Sequence, residues 1–397
     1  MPKLLDIIGQ GPALAQLQRA CAGPRRPHAF LFAGPEGVGK QTTAVEFARL
    51  LLCAKPQALP NAGRLGDLPA DFQLHQACGA CQTCRTVSAG TCPDFALVAK
   101  ELARFHDDPG VRERKLQELG IDVIRQFLID PAYRAAVGGR GKVLVVLEAE
   151  LMSTEAQNAL LKTLEEPPSG VSLILLTANA QDLLPTTRSR CQLVRFGRLD
   201  EQFVRQQLLA AGVEEAPAGF YAALSQGSIG LALQAHADEM YAAKRPLVEA
   251  LAALTPATEM AFSEALRKQV ERLSKLYIQR DNRQAQAGME LMDKKEKPKE
   301  LAATVASRRA GQAILVLLSE VFRDALAIVC GHQRLLVNAD QAECIAALAK
   351  RFSPDDLSEV LTQLGRYEDL LWRNASPKIL WDNVAVTCGC ALPLEID

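Results

Sequence analysis

A chain of 397 residues is long enough for two or three domains, and 48% hydrophobic residues supply real cores. With 45 Lys and Arg against 46 Asp and Glu the net charge is −1, which excludes a general attraction to nucleic acid or to an anionic membrane. No apolar run is long enough to span a bilayer, and residues 1–6 lack the form of a secretory signal. The expectation is therefore a cytosolic protein with no membrane partner, whose eleven cysteines are not a disulfide framework.

Leu14, Leu17 and Cys21 recur at helical spacing, and Pro24 and Pro27 end that helix. His28 to Ala33 reads as the first strand. It leads into Gly34-Pro35-Glu36-Gly37-Val38-Gly39-Lys40 and then into a helical pattern reaching about Cys53. Strand, glycine-rich loop and helix in that order are the context of a phosphate-binding loop. Its backbone N–H groups point at phosphate oxygens, the helix N-terminus adds a positive dipole end, and Lys40 adds a charge. Gly34, Gly37, Gly39, Lys40, Gln41 and Thr42 are thus the candidate ATP or ADP contacts. The slot that should carry a Ser or Thr hydroxyl for Mg²⁺ holds Gln41, with Thr42 and Thr43 one and two places late.

Residues 54–77 carry no clear period. Cys78, Cys81 and Cys84 then stand at Cys-x2-Cys-x2-Cys spacing, which suits three thiolate ligands of a tetrahedral Zn²⁺. Cys53 is the best fourth ligand, with Cys92 and His75 as rivals. Four protein ligands make a closed, structural site. An iron–sulfur cluster is the lesser alternative, because no redox motif accompanies the cysteines.

Asp94 to Ala99 reads as a strand, 102–119 as a loop, Ile121 to Leu128 as a helix with Ile121, Ile124, Phe127 and Leu128 on one face, and Lys142 to Leu147 as a buried strand. A phosphate-loop ATPase places Asp-Glu where that strand ends; here the pair is Leu147-Glu148. Glu148 remains as a degenerate catalytic carboxylate, and a leucine coordinates nothing, so affinity and Mg²⁺ dependence are expected to be degraded. Thr154 with Gln157 fits a capping box. Val171 to Leu176 is another buried strand, with Asn179 beyond its end, where a polar residue senses a γ-phosphate. A short helix from Pro185 leads to Ser189-Arg190-Cys191 and the strand Gln192 to Phe196. Helices follow: one around Phe203, Leu208 and Leu209, another over 217–235 broken near Gly227, and a stripe of Ile314, Leu317, Leu318, Val321, Ala325 and Ile328. The charge run 293–300 reads as a solvated loop.

Asn158 to Pro168 (NALLKTLEEPP), Ser189-Arg190-Cys191, the cysteine module after the loop helix, Ile8-Gly9-Gln10 and His28 to Phe32 together resemble the bacterial clamp-loader subunits of the AAA+ class. The likeness is strong over residues 1–245 and weaker beyond, mainly through Asn374 to Leu380. It implies an α/β AAA+ P-loop domain over 1–197 with a zinc module at about 53–92. A small helical lid over 198–245 and an all-α collar domain over 246–397 would follow. ATP-hydrolysing gamma/tau-type members would carry Thr after the lysine, Asp-Glu, and Gly-Ser-x-Arg in the lid. Here stand Gln41, Leu147-Glu148 and Gly227-Ser228-Ile229-Gly230. The resemblance therefore implies a non-hydrolysing stator. Its partners would be delta and gamma/tau subunits in a hetero-pentameric ring, with the sliding clamp and primer–template DNA reached through the complex. Arg190 would be an arginine finger acting in trans on a neighbour's ATP. The alternative is a gamma/tau-type ATPase in which Thr42 and Glu148 replace the lost ligands.

Overall fold

The computed structural model describes residues 3–23, 26–112, 118–289, 299–332, 336–372 and 376–389. Pro24, the charge run up to residue 298, Asn374, Ala375 and Cys390 lie outside the described residues. The chain divides into two compact units, one of residues 1–200 with 227–230, the other of 201–226 with 231–397.

The first unit is built on a parallel sheet. Its strands β1 (Ala29–Ala33), β4 (Phe95–Val98), β5 (Lys142–Val146), β6 (Val171–Thr177) and β7 (Gln192–Arg195) lie in the order β4-β5-β6-β1-β7. Every residue of β5 and β6 is buried, as expected of strands covered on both faces. Phe30 and Phe32 face one layer, where α1 (Gly11–Ala22) and α2 (Lys40–Leu52) pack, and the rings of Phe30 and Phe47 meet edge-on at 5.2 Å. Leu31, Leu144, Leu173 and Leu175 face the other layer with the helices of 121–133 and Thr154–Glu165. Because β1 is flanked by β6 and β7, the loop after it opens in a crevice at the carboxyl ends of the strands, where open α/β sheets bind ligands.

Three stretches differ from the sequence reading. Residues 54–77 contain an antiparallel pair, β2 (Gln57–Pro60) and β3 (Gln73–Gln76). Its exposed first strand carries a proline, so no alternation marks it. Buried Asn61 holds the connecting loop, donating to the carbonyls of Leu65, Leu68 and Pro69 and accepting from the Leu65 N–H. The region 102–119 carries a 3-10 helix, Lys100–Phe105, and a short turn of helix, Pro109–Arg112. The helix from Ile121 widens to a π turn over Arg125–Ile129, where Pro131 has no N–H to return to the preceding turn.

The described residues of the second unit form helices and no strand, and no helix among the described residues is long and apolar enough to cross a membrane. Glu201–Ala210 and Glu215–Ser225 pack as a pair. Lys299–Val329 buries Ile314, Leu317, Leu318, Val321 and Ala325 along one face. Lys244 is buried against the Phe220 ring at 4.5 Å and is ion-paired with Asp340, which also accepts from the Tyr241 hydroxyl at 2.9 Å.

Candidate functional site

The glycine loop is fixed by its backbone. Gly37 and Gly39 have φ of 69° and 99°, and Gly39 is the N-cap of α2. Each loop carbonyl is bound. Lys40 Nζ donates to Gly34 O and, at 2.7 Å, to Pro35 O. Ser228 Oγ donates to Glu36 O at 2.7 Å and the Gly230 N–H to Gly37 O at 2.9 Å. Gln10 Nε2 donates to Val38 O at 3.1 Å, and its other contacts bind both polar backbone groups of Gly197. Burial lowers the pKa of Lys40, opposed by the charges of Glu150 and Glu36. Buried Thr43 spends its hydroxyl on Gly39 O, while Gln41 and Thr42 are exposed.

The carboxylates near this loop are not arranged as the motif suggests. Glu148 adopts φ 48° and its exposed carboxylate pairs with Lys100 at 3.0 Å. Glu150, which the sequence reading passed over, is with Glu36 an acidic neighbour of Lys40. Its Oε1 accepts from the Ala178 N–H at 3.0 Å, and its buried Oε2 has no hydrogen-bond partner. Glu148 stands at a left-handed turn, invisible in the motif, before the short 3-10 helix Ala149–Leu151 that carries Glu150. Asn179 is occupied locally, accepting from the Gln181 N–H at 3.1 Å and donating to Asp182.

Gly230 stands where the gamma/tau pattern has an arginine. A Cβ there would lie 2.7 Å from Gly37 Cα and 2.9 Å from Gly37 O, so this backbone leaves no room for any side chain.

Arg190 lies just beyond the short helix Pro185–Arg188. Its Nε donates to Glu165 Oε1 at 2.7 Å and its Nη1 to Thr186 O at 2.8 Å, leaving the guanidinium at the surface and oriented. Gln157 places this segment: its buried Oε1 accepts from the Leu184 N–H at 2.9 Å and from Thr187 Oγ1 at 3.3 Å. Gln157 is thus no part of a cap. The N-cap is Ser153, whose Oγ accepts from the Ala156 N–H, one residue before the Thr154 of the sequence reading.

Cys53, Cys78, Cys81 and Cys84 converge, their sulfurs all within 4.8 Å of one another. Cys92 instead lies in the apolar core, and His75 sits on β3 with its backbone bound by Gln18. Cys53 is the C-cap of α2, and Cys81 caps α3 (Gln82–Ser88). Backbone N–H groups of residues 78, 81 and 84 reach the sulfurs of Cys53, Cys78 and Cys81 at 3.3, 3.4 and 3.5 Å. The N–H groups of Cys81 and Ala80 hold the Cys78 thiol down at about 6, whereas burial raises Cys84. A tetrahedral Zn²⁺ with Zn–S near 2.3 Å needs sulfurs roughly 3.8 Å apart. Cys78 and Cys84 stand at 4.0 Å, so the donor set fits that ion and leaves no open position.

Two family models match in chain order: "DNA polymerase III, delta subunit" over residues 9–200 and "DNA polymerase III, delta subunit, C terminal" over 274–379. DNA polymerase III subunit delta′ of Escherichia coli K12 is 32% identical over 247 residues, 62% of this chain and 65% of that protein. Delta′ of Pseudomonas aeruginosa is 36% identical over 164 residues, 41% of each chain. The chain thus spans somewhat under two thirds of one curated relative and about two fifths of the other. The gamma/tau subunit of Mycobacterium bovis is 33% identical over 204 residues, 51% of this chain and 30% of that protein. A gamma subunit-related protein of Thermotoga maritima aligns with TM-score 0.42 and 18% identity, covering 95% of this chain and 98% of that one. With both delta-subunit models matched in order and delta′ relatives at 32% and 36% identity, the chain belongs to the DNA polymerase III delta-subunit family, as a delta′ relative akin to gamma/tau.

Proposed function

We propose that this chain is the delta′ subunit of a bacterial clamp loader, a non-hydrolysing stator that acts in the cytoplasm at the replisome. The observation that carries the reading is the state of the Mg²⁺ side of the cradle. Gln41 follows the lysine, Leu147 follows β5, and Glu148 is turned to Lys100. An ATP-hydrolysing site needs oxygen ligands there to hold the metal that bridges the β- and γ-phosphates. The bound carbonyls of residues 34–38 keep the loop shaped, and a phosphate would have to draw Lys40 off two of them. Gly34, Gly37, Gly39, Lys40, Gln41 and Thr42 form a cradle that can hold nucleotide only weakly.

Catalysis then enters through Arg190, offered to the ATP of a neighbouring gamma/tau subunit. Glu165 and Thr186 pre-orient the guanidinium, which favours delivery of a planar, permanently charged group to a developing phosphoryl charge. Delta and gamma/tau subunits complete the hetero-pentameric ring, which opens the sliding clamp and releases it on primed DNA. Cys53, Cys78, Cys81 and Cys84 would hold a structural Zn²⁺, whose chemistry is to cross-link the end of α2 to the knuckle before α3.

The test uses the purified chain and the reconstituted complex. The chain alone is expected to show no steady-state ATP turnover; turnover abolished by K40A would instead support the gamma/tau-type reading. R190A should leave assembly intact and cripple the one ATP site it serves, since trans fingers contribute roughly 10³–10⁵ in rate. Unchanged ATPase of the complex would remove the finger.

A further inference from the structure

The geometry points to Arg140 as a positioning residue of the cysteine centre. Cys53 is the ligand most distant in sequence, and its backbone leaves the helix at φ −61° and ψ 129°. The carbonyls of Cys53 and Ala54 therefore emerge at the C-terminus of α2, where a helix carries partial negative charge and no backbone donors of its own. Arg140 meets both. Nη1 donates to Cys53 O and Nη2 to Ala54 O, each at 2.7 Å. A planar fork on two successive carbonyls fixes the peptide plane between them, and with it the direction of the Cys53 side chain.

The arginine itself comes from a rigid turn. Buried Asp94 accepts from the N–H groups of Val137 at 2.8 Å and Gly138 at 2.6 Å. At Gly141, with φ 107°, a Cβ would fall 2.0 Å from Gly170 O, so the strand entry at β5 is locked against the turn before β6. The sheet thus aims Arg140 at a metal ligand that belongs to another layer. Charge points the same way. Four thiolates around one divalent ion carry a formal −2 beside the negative end of a helix, and a cation there offsets both. Arg49, one helical turn before Cys53, is paired with Glu46 at 2.6 and 2.8 Å and lies near the knuckle glycine Gly79, whereas Arg140 is the arginine hydrogen-bonded to the Cys53 carbonyl.

The inference rests on the metal reading above. The experiment measures zinc affinity of the full chain by competition with a chromophoric chelator, and the absorption spectrum after Co²⁺ substitution. R140A is expected to weaken zinc binding by roughly 10- to 100-fold, the range for outer partners of metal ligands, and to shift the cobalt–thiolate bands. R140K keeps the charge but not the fork and should fall between R140A and wild type; R134A, at the exposed residue that ends the short helix Asp130–Tyr133, should match wild type. Wild-type affinity in R140A overturns the inference, as does a lowered melting temperature with affinity and cobalt bands unmoved. If R140A does not fold, wild-type affinity in R140K overturns it. A wild-type chain that binds no zinc overturns the metal reading as well.

Discussion

Gly230→Ala tests the closure of the glycine loop by the sign of its effect. Gly230 is the second residue of the helix Ile229–Ala237. By helix propensity alone, Gly→Ala there should stabilise by about 0.5–1 kcal/mol. The structure requires the opposite. The new Cβ would lie 2.7, 2.9 and 3.2 Å from Gly37 Cα, O and C, all backbone atoms that cannot swing aside. Forcing a methyl into packed structure costs about 1–3 kcal/mol, and weakening the Gly230 N–H to Gly37 O bond adds about 1 kcal/mol. After subtracting the propensity gain, the net loss is about 1–3 kcal/mol. For a unit of some 200 residues that lowers the melting midpoint by about 2–12 °C. Gly219, inside the helix Glu215–Ser225 with nothing within 4 Å of its Cβ position, is the matched control. Its alanine variant should gain the propensity term. Thermal unfolding followed by circular dichroism reads both. An alanine at 230 that stabilises as much as one at 219 would refute the contact with the loop and the steric exclusion of a lid arginine.

Three other outcomes follow from the same geometry. Cys81→Ser should remove the zinc that otherwise copurifies at about one per chain; metal analysis of both proteins decides, and equal zinc in both would break the four-cysteine assignment. Gln157→Leu leaves the Leu184 N–H and the Thr187 hydroxyl without their acceptor. A loss of about 2–4 kcal/mol in denaturant titration is expected, and a neutral result would mean that Gln157 does not seat the Arg190 segment. Glu320, whose pKa burial raises to about 7 with Arg323 opposing, binds its proton more tightly folded than unfolded. Its contribution is therefore full below about 4.5 and is lost as pH rises through about 7. Glu320→Gln should flatten the stability profile across that window, and an unaltered profile would contradict the burial argument.

Much of the sheet was legible in the sequence because β5 and β6 are continuous apolar runs, a pattern that follows from burial on both faces. The sharp turn between β1 and α2 was legible because glycine is needed at specific backbone angles, as at Gly37 and Gly39. What escaped depends on local geometry that no spacing encodes. In the hairpin, β2 is mostly exposed and the alternate positions that β3 buries are Leu74 and Gln76, so burial leaves no apolar alternation to read. Glu148, at φ 48°, runs to Lys100, and it is Glu150, two residues on, that lies near Lys40. The N-cap shifted from Thr154 to Ser153 because adjacent hydroxyls compete for the same role, and Gln157 turned from cap to buried bridge because a second segment needed an acceptor.

The place of β1 between β6 and β7 has a cost in time. Ala29 pairs with Leu173 on one side and Phe30 with Gln192 on the other, so the strand leaves the ribosome roughly 140 residues ahead of its first neighbour. At about 5–20 residues per second that is roughly 7–30 s during which the apolar segment Ala29–Ala33 has no partner strand. Such long-range pairing also makes closure slow once synthesis is complete. The cysteine module is the contrary case, since its ligands run only from Cys53 to Cys84. Metal capture can therefore precede the sheet and give the nascent chain its first fixed point at the far end of α2.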